Sequence, residues 1–289
     1  MRGLMERSAP GQKLSSRFVA GLTVEDALRV TRDLNGQGFA VTADALGESV
    51  RSEGEAVAAA EIYHRLLDGI AAGGMNANVS VKLTGVGMDI SPELAERMTG
   101  AIVEHAARLG NFVRIDMEGS PYTEATIALT ERLHAASGGA VGTVLQAYLY
   151  RTAEDTARLL SQGIRIRLCK GAYKEPSELA YPEKSDVDKN YVRLMQTMLL
   201  SGVFCGIATH DPAMIDATER FAAENGVERS AFEFQMLYGV KRELQRELLK
   251  RGYRVRIYLP FGTDWYPYFM RRLAERPANV LFLLRNLVT

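Results

Sequence analysis

The sequence of 289 residues lacks the features that mark several protein classes. Its only two cysteines, Cys169 and Cys205, have no Cys-x-x-Cys spacing, which argues against a disulfide framework or a zinc site and favours small buried thiols. Its 35 basic and 35 acidic residues balance, so we expect no nucleic-acid partner. Four histidines are too few and too scattered to favour a multi-histidine centre, and no metal is predicted.

Long apolar runs and nucleotide-binding signatures are also missing. No stretch approaches the ~20 apolar residues of a membrane span, and the first residues lack the apolar core of a signal peptide. We therefore expect a cytoplasmic protein that can still touch the inner face of a membrane. Neither G-x-G-x-x-G between a strand and a helix nor G-x-x-x-x-G-K-[ST] occurs, which excludes the dinucleotide-binding and P-loop motifs.

What the sequence does contain is a regular alternation of strand-like and helix-like segments. Eight short runs rich in β-branched residues begin at Phe39, Asn78, Asn111, Val141, Ile164, Val203, Ala231 and Tyr253. Helical patterns separate them, so the chain is predicted to be one α/β domain, residues 1–289, whose (βα)8 barrel spans about 39–276. An N-terminal helix is predicted at about 16–34, a long loop at 174–186, and an apolar tail of undecided role at 277–289.

The strand-like runs are unusually polar on one side. In the second run, Asn78, Ser80 and Lys82 alternate with Val79 and Val81, so one face is polar and the other apolar. Polar residues recur at or near the carboxyl ends of the runs, where barrel enzymes hold their sites. They are Asp44, Lys82, Asp116, Gln146, Arg167, Lys170, His210, Gln235 and Tyr258. A ring of this kind indicates a cavity.

The stretch 262–277 predicts a last helix with a polar face. That face carries Tyr268, Arg271, Arg272 and Glu275 at helical spacing. A pair of arginines can bind a carboxylate or phosphate by bidentate hydrogen bonds. The alternative is a solvated face of weak ion pairs.

Two lysines and one histidine are further candidates for chemistry. Lys170 or Lys82 could form a Schiff base at a strand end, but either is also explained as a fixed cation for an anionic ligand. His210 is best explained as a hydrogen-bond donor.

Taken together, these segments resemble the proline dehydrogenase family, the flavin-dependent enzymes that begin proline catabolism. The resemblance runs from about Phe39 to Glu275. It rests on YPYFMRRLAE, which looks like the family's Y-x-x-R-R-x-x-E helix, together with DALGE, SVKL, the ID of RIDME, LQAY, RLCKGAY, ATHD, FEFQML and RIYLPFG. Each motif is weak alone, but their order is specific.

The resemblance implies a distorted (βα)8 TIM barrel whose eighth helix lies over the C-terminal mouth. It implies that noncovalent FAD accepts hydride from L-proline, giving Δ1-pyrroline-5-carboxylate, and that a membrane quinone receives the electrons. A separate pyrroline-5-carboxylate dehydrogenase is a possible partner, because the chain is too short for the second module of bifunctional relatives. Two other hypotheses stay open: a Schiff-base lyase using Lys170 or Lys82, and a non-catalytic barrel that binds an anion.

The resemblance also assigns residues to roles. The substrate-binding residues are Lys82, Asp116, Leu168, Tyr173, Tyr258, Tyr268, Arg271 and Arg272. The cofactor-binding residues are Gln146, Arg167, Cys169, Lys170, Gly171, Thr209, His210, Gln235, Arg272 and Glu275. Lys82, Arg167, Arg271 and Arg272 are the catalytic group, Glu48 closes a gate with Arg271, and tyrosine at 258 favours proline over hydroxyproline. The loop at 181–190 does not match, so it receives no contacts to adenosine.

Overall fold

The computed structural model describes residues 16–274, whose strands form a closed parallel barrel in the order of the chain. The strands are β1 (Ala40–Ala45), β2 (Ala77–Val81), β3 (Val113–Ile115), β4 (Val141–Gln146), β5 (Ile166–Cys169), β6 (Cys205–Ala208), β7 (Phe232–Leu237) and β8 (Val255–Phe261). The barrel closes where β1 pairs with β8, with Thr42 opposite Tyr258. Each of the eight predicted runs overlaps one strand, so the predicted barrel is confirmed.

Helices alternate with the strands along the chain. They are α1 (Val24–Gly36), α2 (Glu53–Ala72), α3 (Pro92–Arg108), α4 (Thr123–Ala136), α5 (Thr152–Ser161), α6 (Lys184–Leu200), α7 (Pro212–Glu224), α8 (Arg242–Lys250) and α9 (Trp265–Ala274), with short 3-10 turns at Thr84–Val86 and Ser120–Tyr122. Because β–α–β connections are right-handed, the helices surround the barrel and leave its two ends open to side chains.

The N-terminal helix begins later than the sequence predicts. Gly21 has a φ of 143°, which no helix accepts, and the side chain of Thr23 then caps the backbone N–H of Asp26. Asp26 returns the contact to the backbone of Thr23, which completes a capping box. Residues 16–23 therefore precede α1, and the predicted start at 16 is wrong.

The segment before α1 packs under the last helix. Phe18 and Val19 form an apolar cluster with Trp265, Tyr268 and Phe269 of α9, and all five are buried. This cluster fixes α9 against the body of the protein. The predicted helix stop at Pro277, the tail 277–289 and Glu275 lie outside the described residues.

The two faces of the barrel strands divide as the alternation predicts. Val79 and Val81 are fully buried in the main apolar core, whereas Ser80 hydrogen-bonds to Asp116 in the interior. Glycine makes room where interior side chains cross the barrel: a Cβ on Gly206 would lie 2.4 Å from Nε2 of Gln235. The interior is therefore a packed polar layer.

The long loop between β5 and α6 is pinned by hydrogen bonds. Leu149 and Ala180 form an isolated antiparallel bridge, and the backbone N–H of Tyr181 donates to the carbonyl of Tyr148. Glu175 accepts from the N–H of Ser120 at 2.8 Å. The predicted loop is present, but its last three predicted residues, 184–186, already belong to α6. Within residues 16–274, no helix combines the length and apolarity needed to cross a bilayer.

Candidate active site

Asp116 joins the charged side chains at the carboxyl end of the barrel. Its Oδ1 accepts from Nη1 of Arg167 at 2.9 Å, and its Oδ2 accepts from the hydroxyl of Tyr258 at 2.7 Å. The ammonium of Lys82 lies 3.9 Å from Oδ2. Residues from β5 and β8 and the residue after β2 therefore meet at one carboxylate, which directly follows β3.

Lys82 is held mainly by a second buried carboxylate, Asp44 of β1. Its Nζ donates to the two oxygens of Asp44 at 2.8 and 3.0 Å, and it lies 3.4 Å from the hydroxyl of Tyr258. Asp44 is completely buried. The sequence places Asp44 in the polar ring but gives it no role, and the structure makes it the residue that orients Lys82.

The charges in this layer decide the protonation of its members. Burial by itself would lower the pKa of Lys82, but the carboxylates of Asp44 and Asp116 outweigh it and raise that pKa above its ordinary value. Burial opposes ionisation of Asp116, yet Arg167 and Lys82 lower the pKa of this carboxyl below its usual range. Lys82 is therefore a cation and Asp116 an anion at neutral pH, and a Schiff base at Lys82, which needs a neutral amine, is disfavoured.

Arg167 crosses the interior toward β7. Its Nε donates to Oε1 of Gln235, and its guanidinium lies 5.3 Å from the centroid of the Tyr258 ring. Neighbouring Gln146 of β4 is 3 % exposed, and its Oε1 has no hydrogen-bond partner within residues 16–274. A buried acceptor of this kind needs a donor, which a ligand can supply.

Lys170 is occupied by two carboxylates. Its Nζ lies 2.5 Å from Asp188 of α6 and 2.7 Å from Asp211 at the start of α7, and Lys184 bonds the same Asp188. This arrangement ties the ends of β5 and β6 to α6. It also opposes the Schiff-base hypothesis at Lys170, because the amine is bound between two carboxylates and is not open to a carbonyl substrate.

At the end of β6, the side chains of His210 and Thr209 hydrogen-bond to backbone groups. Nε2 of His210 accepts from the backbone N–H of Leu237 at 2.9 Å, which leaves Nδ1 as the ring's donor. The hydroxyl of Thr209 accepts from the N–H of Asp211 at 3.0 Å.

Burial raises the pKa of Cys169 to about 11, so this residue remains a thiol. Gly171 has a φ of 116°, and a Cβ there would lie 2.5 Å from the Tyr148 ring.

The last helix supplies the outer layer of the site. Nη1 of Arg271 donates to Oε1 of Glu48, beyond the end of β1, at 3.0 Å. The guanidinium of Arg272 lies over the ring of Tyr268, 5.2 Å from its centroid, and Tyr268 belongs to the buried cluster under α9. The two arginines therefore have different neighbours, and Arg271 is the one paired across the mouth.

The loop after β5 brings Tyr173 to the same mouth. Its side chain is 42 % exposed, and burial of the remainder together with Glu118 raises its pKa to about 12. Glu118 is itself buried and accepts from the N–H of Thr84 at 3.1 Å and from its hydroxyl at 2.6 Å. Glu118 follows β3 and belongs to this layer by the alternation of Arg114 and Asp116, a signal that the sequence already carries.

One predicted wall residue, Leu168, lies in the apolar core of the structure. Alternation along β5 points Arg167 into the barrel and Leu168 toward the helices, where Leu168 is fully buried in the apolar core. Leu237 has the interior parity of Gln235 and lies opposite Tyr258 in the β7–β8 register. Leu237, which the sequence analysis missed, is therefore the leucine at the mouth.

Comparison with known proteins identifies similar chains. The family model "Proline dehydrogenase" matches residues 27–285. Proline dehydrogenase 1 of Bacillus subtilis is 43% identical over 281 residues, covering 97% of this chain and 93% of the relative. Proline dehydrogenase of Deinococcus radiodurans is 41% identical over 279 residues, covering 95% of this chain and 90% of the relative.

A solved structure has the same architecture. Proline utilization A from Bdellovibrio bacteriovorus, inactivated by N-propargylglycine, superimposes with a TM-score of 0.86 at 26% identity. The match covers 92% of this chain but only 33% of that much longer one. The present chain thus corresponds to one part of that protein and to nearly the full length of the Bacillus and Deinococcus enzymes.

Proposed function

The chain belongs to the proline dehydrogenase family, whose reaction is the oxidation of proline, and we propose that it removes a hydride from C5 of L-proline onto noncovalently bound FAD. The ammonium nitrogen of zwitterionic proline first gives one proton to solvent, and its freed lone pair forms the C=N bond as the hydride leaves C5. Loss of the second N–H proton to solvent gives Δ1-pyrroline-5-carboxylate. The electrons then pass to a quinone, which the protein meets at a membrane surface. The observation that carries the proposal is the Lys82–Asp116–Tyr258–Arg167 network beneath the Arg271–Glu48 pair.

The side chains present suit a flavin. Gln146 has a buried carbonyl oxygen without a donor among residues 16–274, and a flavin ring carries an N–H that can fill that position. Arg167 carries a guanidinium that is bound to Gln235 and is suited to the electron-rich edge of a flavin. When bound, FAD supplies the hydride acceptor. We assign its contacts to Gln146, Arg167, Cys169, Lys170, Gly171, Thr209, His210, Gln235 and Arg272, and to Glu275 outside the described residues.

Substrate positioning follows from the cations above and below the mouth. Lys82 is fixed by Asp44, and its third N–H, which points at the Tyr258 hydroxyl from 3.4 Å, can turn to a substrate carboxylate. Arg271 exchanges its contact with Glu48 for the substrate carboxylate, or keeps both, and so closes the site behind the ligand. Arg272 is fixed on the Tyr268 ring. Tyr258 and Leu237 then lie against the proline ring.

The decisive experiment is anaerobic reduction of the purified holoenzyme. The protein should be yellow, L-proline should bleach the flavin absorbance, and the imine product should be recovered in an amount equal to the reduced flavin. D-Proline serves as the matched control, because its carboxylate cannot reach the same cations when C5 is in place. An intact flavin spectrum with saturating L-proline would refute the proposal, and a borohydride-trapped adduct on Lys82 or Lys170 would point to lyase chemistry.

A further inference from the structure

The amino-terminal end of the barrel, opposite the proposed active site, contains a cavity of about 390 Å³. Its wall includes three arginines: Arg114 of β3, Arg165 just before β5, and Arg256 of β8. The only carboxylate among its lining residues is Glu233 of β7. The cavity is thus cationic although the whole chain is neutral.

Glu233 neutralises one of these arginines. Its Oε1 accepts from Nε of Arg256 at 2.6 Å and from Nε2 of Gln235 at 2.7 Å. Both the carboxylate and its partners are largely buried, so the pair is fixed. Among residues 16–274, neither Arg114 nor Arg165 forms a salt bridge with a carboxylate, although Glu233 and Asp116 act on the charge of Arg114 from a greater distance.

Arg114 is the more unusual of the two remaining cations. It is 3 % exposed, and its Nη1 donates only to neutral carbonyls, those of Thr143 at 2.9 Å and Arg165. Its Nε is buried and has no hydrogen-bond partner within residues 16–274. Burial and the nearby charge of Arg167 lower its pKa, which means that its cationic form is held in an unfavourable environment.

The two cations are held on one aromatic ring. The guanidinium carbons of Arg114 and Arg165 lie 4.9 and 5.2 Å from the centroid of Phe112. Gly142 permits this arrangement, because a Cβ there would lie 2.2 Å from the carbonyl oxygen of Arg165 and 2.9 Å from Nη1 of Arg114. Two like charges kept close together by built-in contacts form a preorganised site for an anion.

We propose that this cavity binds a doubly charged oxyanion between Arg114 and Arg165. Asn78 adds a neutral donor to the same wall, because its Oδ1 already accepts from Thr42 and Arg256 and only its amide hydrogens remain. The volume accommodates inorganic phosphate or a short dicarboxylate. The site is independent of proline oxidation, since it lies at the other end of the barrel.

The test titrates the holoenzyme with inorganic phosphate, and separately with succinate, at constant ionic strength set by potassium chloride. Calorimetry and the thermal unfolding midpoint are the readouts, because a ligand of the folded state raises that midpoint. At least one anion should bind, and Arg165→Gln should weaken its binding about tenfold, the effect of losing one charge-assisted hydrogen bond. Arg165→Lys, which keeps the charge, should retain most of the affinity. The matched control is Arg32→Gln, a change of the same charge on the exposed face of α1.

The outcomes separate clearly. Binding of phosphate alone identifies a tetrahedral oxyanion site, and binding of succinate alone identifies a dicarboxylate site. Either result supports the proposal if Arg165→Gln removes most of the binding and most of the rise in the unfolding midpoint. No binding of either anion by the wild-type protein overturns it. Equal binding by Arg165→Gln and wild type also overturns it, because the anion would then occupy the active-site cations or the surface.

Discussion

Asp116 connects the two charged halves of the proposed active site. One of its oxygens binds Arg167 and the other binds Tyr258, and Lys82 lies beyond that tyrosine. Without this carboxylate, the charges of Lys82 and Arg167 would repel each other in a buried layer. The free-energy cost of such uncompensated buried charges is several times the gain from a surface ion pair. The positions of the protein cations that are proposed to bind the substrate therefore depend on Asp116, an anion that need not contact the substrate's carboxylate.

Tyr258 allows a test of this network with two variants. Tyr258→Phe removes the hydroxyl that donates to Asp116 but keeps the ring, and it should lower kcat/KM for proline about tenfold, as loss of a hydrogen bond to a charged group does. Tyr258→Ser also removes the ring, and it should shift the ratio of kcat/KM values from proline toward hydroxyproline. Steady-state kinetics with both substrates measures the two effects.

The control for Tyr258 is Tyr253→Phe. Tyr253 packs against Phe234 outside the barrel interior, with ring centroids 5.3 Å apart, so loss of its hydroxyl should leave both constants unchanged. A substrate ratio in Tyr258→Ser equal to that of the wild type would remove Tyr258 from the substrate pocket.

Arg271 gives a second prediction at the level of single residues. Arg271→Met removes the cation that is paired with Glu48 across the mouth, and we expect proline binding to weaken by ~2–5 kcal/mol, the range for truncating one member of a desolvated charge pair. Since the site is half-open, the lower end of that range is expected. The rise in KM for proline measures it.

Arg32→Met is the matched control for Arg271→Met, because Arg32 is exposed on α1 far from the mouth in the fold. Glu48→Gln should raise KM less than Arg271→Met, since it loosens the gate and leaves the cation in place. Identical KM values in wild type and Arg271→Met would exclude this arginine from substrate binding.

At the level of strands and helices, the alternation of polar and apolar residues along the strands predicted most of the residues that face the barrel interior. It grouped Asn78, Ser80 and Lys82 on the interior face, and the structure places Ser80 and Lys82 in the network around Asp116. The same alternation, applied to β5, would have excluded Leu168 from the ligand side. The family resemblance assigned Leu168 against its own strand's parity, and that assignment stays a prediction.

Partners from distant segments could not be predicted in this way. Lys170 meets Asp188 and Asp211, which lie 18 and 41 residues further along the chain, on α6 and before α7. Strand spacing predicts which face a residue occupies but not which side chain from another element reaches it. The start of α1 was missed for a local reason, because the apolar spacing of Phe18 and Leu22 continues through a glycine that breaks the helix.

Gly206 of β6 allows a prediction about the packing between strands. In Gly206→Ala the new methyl group would overlap Gln235, whose Oε1 accepts from Arg167, so we expect a loss of ~1–3 kcal/mol in unfolding free energy and weaker flavin retention. Urea unfolding and the flavin content of the purified protein measure these. Stability and flavin content equal to the wild type would show that Gln235 has another acceptable position.

The control is Gly100→Ala on α3. A Cβ there has its nearest neighbour, Leu133, at 3.6 Å, which is ordinary contact. Alanine in a helix interior should therefore stabilise the protein by ~0.5–1 kcal/mol. If Gly206→Ala lowers the unfolding free energy and Gly100→Ala raises it, the loss comes from crowding at Gln235 and not from a general effect of replacing glycine.

For the whole molecule, balanced charge makes a kinetic prediction. The chain has a formal net charge of zero, and proline is a neutral zwitterion at pH 7, so long-range steering is absent. We expect kcat/KM for proline to change less than about twofold between 20 and 200 mM salt, although screening changes strongly over that range. A fall of tenfold or more would show that the site's own cations attract substrate from a distance. The salt dependence of kcat/KM should be measured with fluoride and with chloride, because a difference between the two salts shows a specific anion effect and not screening.

The pairing of Glu48 with Arg271 joins positions 223 residues apart, across the seam where β1 meets β8. During synthesis the ribosome therefore releases one half of this lock long before the other exists. Partly made chains, and fragments that end before α9, contain Glu48 without Arg271 and so cannot form this pair. A nascent chain must therefore include α9 before the proposed gate can form.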